Sequence, residues 1–240
     1  MQLRRLLVNP VSALLLAACA VSTSALAHAD TIAWANWSTA TSGNPGSATG
    51  TIGSVNVTYS GQTTGLTNVP SWGPASTFTG GIVGNAPPHT PTIQIEGGST
   101  LTETISFSSP VVDPIFAIWS LGTPTIPASF DFSSKSGQSF NLLGGGPSAE
   151  FNGSALTSTG SIVRGTEGNG LVQFNGSFDT ITFTTPNFEF YYALTVGYDA
   201  TLTGGGGPTP GPIPEPATLS LFGLGVAALP LVRRSLSRRS

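Results

Sequence analysis

Period-two alternation dominates the chain from Val55 to Tyr198, and it restricts the fold more than any other feature. Val55, Val57 and Tyr59 alternate with Asn56, Thr58 and Ser60. Ile93 and Ile95 alternate with Thr92, Gln94 and Glu96. Leu101, Ile105 and Phe107 share a face opposite Thr102, Thr104 and Ser106, and Glu103 is the odd member of the apolar side. Phe130 and Phe132, Phe140 and Leu142, Val172 and Phe174, and Ile181 and Phe183 continue the pattern. A last strand is expected with Phe188, Phe190, Tyr192, Leu194, Val196 and Tyr198 on one face. Ile115 to Trp119 is apolar without a break, as befits a central strand covered on both faces. No stretch of this region keeps a 3.6-residue period, so an all-β body is expected: an antiparallel β-sandwich, jelly-roll-like, over 30–203. No repeat of fixed length supports a solenoid. The Ser-, Thr- and Gly-rich stretch Asn36–Gly50 reads as loop.

Charge sorts the chain into three parts. Residues 1–29 carry Arg4 and Arg5 and no acid, and residues 217–240 carry four arginines and no acid. Between Asp30 and Thr203 ten acids stand against Lys135 and Arg164 alone, leaving that region at −8. Such a body lacks the cationic surface that neutralises phosphates, which argues against a nucleic-acid partner. The single cysteine, Cys19, lies ahead of the body, so no disulfide is expected there.

The N-terminus reads as a signal peptide over 1–29. Arg4 and Arg5 precede an apolar stretch densest from Val11 to Val21, and a small-residue region ends in Ala27-His28-Ala29. Small side chains at Ala27 and Ala29 suit the narrow pockets of a signal peptidase, which would cut before Asp30. Leu16-Ala17-Ala18-Cys19 is a rival, resembling the site at which a cysteine is lipidated. The well-formed Ala29 site is the stronger of the two.

At the other end, Gly204–Gly207 and Pro208-Thr209-Pro210-Gly211-Pro212 open a linker that spans 204–213. Pro214-Glu215-Pro216 follows, then an apolar run over 217–232, then Arg233, Arg234, Arg238 and Arg239. A helix of that length reaches about 24 Å, a short membrane span. The four arginines place the tail in the cytoplasm and the body outside.

This order resembles the PEP-CTERM sorting signal of Gram-negative bacteria, a Pro-Glu-Pro motif before a short transmembrane helix and an arginine-rich end. The stretch Pro-Glu-Pro-Ala-Thr-Leu-Ser-Leu-Phe-Gly-Leu-Gly is close to that pattern, and the resemblance covers roughly residues 212–239. The same tail is sometimes labelled an ice-binding protein C-terminal domain, a label that is no evidence of ice binding. The resemblance implies processing by exosortase at Pro214, Glu215 and Pro216, transient residence in the inner membrane, delivery to the cell surface or medium, and a link to exopolysaccharide and biofilm.

The body offers little catalytic chemistry. After removal of the leader its only histidine is His89, in the stiff segment Pro87-Pro88-His89-Thr90-Pro91. No Gly-x-Ser-x-Gly elbow supplies a nucleophile, and no histidine or cysteine cluster suits zinc. No Asp-x-Asp-x-Asp-Gly loop suits calcium, so no metal or cofactor is expected. The leading expectation is a non-enzymatic surface or extracellular-matrix protein. A polysaccharide-binding module is the first alternative, with Trp34, Trp37 and Trp72 stacking on sugar rings unless they cap the core. A glycoside hydrolase with a carboxylate pair, such as Glu96 and Glu103, is the second.

Overall fold

The computed structural model describes residues 29–202. The signal peptide, Cys19, the linker, Pro214-Glu215-Pro216, the 217–232 span and the terminal arginines therefore lie outside the described residues. Among the described residues there is no α-helix, only two single 3-10 turns, Ala75–Thr77 and Ala200–Leu202, and thirteen strands. No helix among them is long and apolar enough to cross a membrane.

The strands are β1 (Ala33–Trp34), β2 (Asn36–Thr41), β3 (Gly43–Ile52), β4 (Val55–Thr63), β5 (Gly65–Thr67), β6 (Thr92–Val112), β7 (Ile115–Leu121), β8 (Ala128–Asp131), β9 (Phe140–Pro147), β10 (Thr157–Thr159), β11 (Ile162–Gly165), β12 (Gly168–Phe174) and β13 (Ser177–Tyr198). Every pairing between them is antiparallel, as the alternation requires. β6 and β13 run beside each other from Ser177↔Val112 to Leu194↔Ile93 and serve two layers. Their outer halves join β2, β3 and β4 on one side and β8, β11 and β10 on the other. The rest of β13 pairs with β7, which pairs with β12 and through it with β9.

The strands turn from one layer to the other near Gly97, which has φ +69 and faces Phe188. A Cβ at Gly97 would lie 2.2 Å from the Asn187 carbonyl oxygen, so only glycine lets the two backbones approach there.

The two layers face each other across one aromatic core, a sandwich-like arrangement. Phe116 of β7 meets Phe183 of β13 at 5.8 Å between ring centroids, and Phe130 of β8 meets Tyr192 at 5.6 Å. Trp37 on β2 donates its indole N–H to Thr195 Oγ1 on the opposite layer at 3.2 Å. Burial of such large side chains is worth roughly 1.5–3 kcal/mol each, and here it replaces the disulfides the body lacks.

β7 is buried at all seven positions, as its unbroken apolar run predicts. Phe116 and Ile118 face the main core, while Ile115, Ala117 and Trp119 face a second cluster. That cluster is closed by Ile32 and Trp34 and by Val69, Trp72, Phe78 and Val83 from the segment between β5 and β6. Asn85 pins the first residues to this cover. Its Oδ1 accepts the Ile32 N–H at 2.7 Å, its Nδ2 donates to the Ile32 carbonyl at 3.1 Å, and its carbonyl accepts the Trp34 indole N–H at 3.2 Å.

Two expectations are corrected here. The Asn36–Gly50 stretch is not loop but most of the β2–β3 hairpin, paired from Asn36↔Thr51 to Thr41↔Ser47. Apart from Trp37 its inward positions are small, and a Cβ at Gly50 would lie 2.5 Å from the Asn36 carbonyl oxygen and 2.9 Å from Trp37 Cα. Close backbone approach along β3, together with the single large anchor Trp37, sets its register.

The second correction concerns β13. Tyr192, Leu194, Val196 and Tyr198 are buried, but Phe188 is 54% and Phe190 77% exposed. Register shifts between Thr185, Phe188 and Tyr192 turn the pleat over by one residue, so Glu189 points inward where the alternation places Phe188 and Phe190.

Candidate functional site

The register shift that turns Glu189 inward also builds a cleft. Glu189 meets Ser120 near the end of β7 and Glu167 from the turn between β11 and β12. Phe151, Phe190, Tyr191 and Thr123 complete a cleft of about 150 Å³.

Backbone conformation places the two central groups. Ser120 (φ +55) and Glu167 (φ +53) both lie in the left-handed region, which non-glycine residues seldom occupy. The Ser120 hydroxyl donates to Glu167 Oε2, and the Ser120 N–H donates to Asn169 Oδ1 at 2.7 Å. Glu189 Oε2 accepts the Gly122 N–H at 2.5 Å.

Both residues are largely covered, Glu167 at 8% and Glu189 at 5% exposure, with Glu189 the more deeply set. Burial pushes the Glu189 carboxyl up to about 8 against the hydrogen bond from Gly122, and the charge of Glu167 adds to the rise. Burial also raises Glu167, opposed by the Ser120 hydroxyl. No cation among the described residues offsets the pair. Among the described residues Lys135 bonds Thr180 and sits 4.0 Å from Asp179, and Arg164 lines a different shallow cleft with Pro127 and Ser154. The rim is aromatic: Trp119 stands behind it, 5.7 Å from Phe151 and 5.3 Å from Tyr191, and Phe188 supports Phe190 at 5.1 Å.

Sequence-derived candidates fall elsewhere. Trp34, Trp37 and Trp72 are 9%, 1% and 5% exposed, so none presents a ring face to solvent. They cap or fill the two cores, because large aromatic area buried there outweighs anything loop exposure would supply. Glu96 and Glu103 do not form a pair. Glu103 is fully buried, with its two oxygens taken by the hydroxyls of Tyr59 and Thr185. Burial raises it to about 7 against those two hydrogen bonds. His89 is exposed in its proline-rich segment. No group of three metal-ligating side chains occurs among the described residues.

The cleft escaped sequence reasoning because Ser120, Glu167 and Glu189 come from three separate segments. The one local signal was Pro186-Asn187 interrupting the alternation just before Glu189.

An all-β, sandwich-like body thus precedes a tail with a linker, an apolar run and a basic end. Residues 212–239 of that tail match the PEP-CTERM protein-sorting motif, and the chain carries this sorting domain. The motif implies export, a membrane-associated sorting signal and an exosortase-type processing partner. No curated protein and no solved structure matches the chain.

Proposed function

We propose that the protein is a non-enzymatic surface or extracellular-matrix component, delivered through its C-terminal signal and linked to exopolysaccharide and biofilm. In this reading signal peptidase removes residues 1–29 after Ala29. The 217–232 helix then holds the jelly-roll-like body at the inner membrane, with Arg233, Arg234, Arg238 and Arg239 in the cytoplasm. Exosortase acts at Pro214-Glu215-Pro216, and the body passes to the surface or medium.

The observation that carries this reading is the match of residues 212–239 to the sorting motif. Physical chemistry supports the placement of the cut. Insertion of an apolar helix in lipid is effectively irreversible, so release or transfer needs a cleavable element beside it. Prolines at 214 and 216 deny that element regular hydrogen bonding, and Glu215 is the only charge between Gly204 and Val232.

The test is Glu215→Ala in the native host. Wild type is expected shortened at the surface or in the medium, and the variant at full length in the inner membrane. Equal shortening of both would remove Glu215 from recognition; a wild type that never loses its tail would make the span an ordinary anchor.

A polysaccharide-binding role is the second reading. The buried tryptophans no longer favour it, but the open aromatic rim of the Glu167–Glu189 cleft does.

A further inference from the structure

Three properties of the cleft narrow what could occupy it. Its two carboxyl groups share one small space and have no cationic partner in the described protein. Each spends one oxygen on a donor within the protein, Ser120 on Glu167 and Gly122 on Glu189, and among the described residues no hydrogen bond engages the other oxygen. The rim offers aromatic faces, and Phe190 is 77% exposed although it contributes nothing to either core.

Like charges brought together out of water are relieved by a proton or by a cation. Burial raises both carboxyl groups above the ordinary range, and the charge of Glu167 adds to the rise at Glu189, so a proton is one way the pair is relieved. A cationic ligand would take that role and release the proton. A bare metal ion leaves the aromatic rim unexplained, whereas an organic ammonium uses both parts: carboxylates for its N–H groups and ring faces for its charge and C–H surface. The hydroxyls of Ser120 and Thr123 add polar lining suited to a ring that carries hydroxyls of its own.

We propose that the cleft binds an amino-sugar unit, with its ammonium group between Glu167 and Glu189 and the C–H face of its ring against Phe190. The ligand class is a glycan containing de-N-acetylated hexosamine. This inference does not rest on the sorting reading, and either can fail without the other.

The test is calorimetric titration of the full chain in detergent micelles with a β-1,4-linked glucosamine trisaccharide near neutral pH. Binding is expected, at least tenfold weaker for the fully N-acetylated trisaccharide, whose amide carries no charge. Glu189→Gln keeps the shape and the acceptor for Gly122, and Phe190→Ala removes an exposed ring. Each is expected to weaken binding at least tenfold without shifting the thermal midpoint of Phe190→Ala. No binding, equal binding of the two trisaccharides, or unchanged binding by both variants would overturn the proposal. A lysine-containing tripeptide that binds as tightly as the amino sugar would overturn the sugar assignment. Cleavage of the trisaccharide, read by mass spectrometry, would replace a binding site with an active site.

Discussion

Tyr59 donates its hydroxyl hydrogen to the carboxyl group of Glu103 inside the core, where Glu103 is fully buried and Tyr59 is 1% exposed. Thr185 donates to the other oxygen, so β4, β6 and β13 meet at one acid. Burial, with Glu103 beside it, drives the Tyr59 hydroxyl well above the phenol range, so Tyr59 remains a donor at every accessible pH.

Stability is therefore expected to fall as pH rises. Glu103 titrates at about 7 in the folded protein against an ordinary value of 4.5. Between those values the folded state holds more protons than the unfolded chain, and unfolding becomes easier with each step upward. The full effect of Glu103 is on the order of 3 kcal/mol, complete only once the pH has passed through that folded value. Glu189, at about 8, extends the fall by a further pH unit. Thermal midpoints measured from pH 5 to pH 8.5 should decline, and Glu103→Gln should flatten much of the decline while raising the midpoint at pH 8. A wild-type midpoint constant across that range would refute the assignment.

Gly61 is the neighbour that lets this acid fit. A Cβ there would lie 2.6 Å from Tyr59 Oη and 2.8 Å from Glu103 Cβ and Cγ. None of these atoms can retreat in a packed core, so Gly61→Ala should destabilise by about 1–3 kcal/mol. A control at Gly53, where a Cβ would meet nothing within 4 Å but φ is +57, should cost less, through backbone conformation alone. Denaturant midpoints of the two variants should separate in that order; the reverse order would show that the core relaxes around residue 61.

Much of this architecture was legible because strong alternation was in the letters. β4, the outer half of β6 and the last residues of β13 carry large apolar side chains on one face, and β7 announces its double burial by being apolar throughout. β2 and β3 were not legible: their inward positions include Gly46, Ala48 and Gly50, which look like loop composition. Glu103 stood out as an acid on an apolar face, though its partners Tyr59 and Thr185 lie 44 and 82 residues away. The cleft needed both a one-residue slip in β13 and two left-handed residues, and no local pattern encodes their meeting.

Trp37 ties the β2 edge to the opposite layer through Thr195, and both residues are buried. Trp37→Ala should cost about 3–5 kcal/mol by opening a cavity. Trp37→Phe should cost less, while leaving Thr195 Oγ1 without its indole donor. Thr195→Val, which removes the acceptor, should then cost less in the Trp37→Phe background than in wild type, a coupling readable from a double-mutant cycle. Additive costs would show that the bond contributes nothing beyond packing.

The body should fold without its tail. Tyr198, the last residue of β13, donates its hydroxyl to the Ile52 carbonyl at 3.2 Å and pairs with Ala33, so the final strand is fastened at its very end. Asp199, 3% exposed, then accepts the Thr201 N–H at 2.9 Å and the Thr201 hydroxyl at 2.7 Å, closing the chain in a short turn. A chain stopped after Thr203 should keep a β-type circular dichroism spectrum and a midpoint within a few degrees of the full chain. One stopped after Tyr191 loses Tyr192, Leu194, Val196 and Tyr198, all buried in the main core, together with the β7 pairing that runs from Ala193 to Gly197. That deletion removes several large core side chains at about 2–5 kcal/mol each, more than the whole stability of an ordinary domain. It should yield no cooperative transition. Loss of cooperativity already at Thr203 would mean that residues beyond it belong to the folded body rather than to the sorting tail.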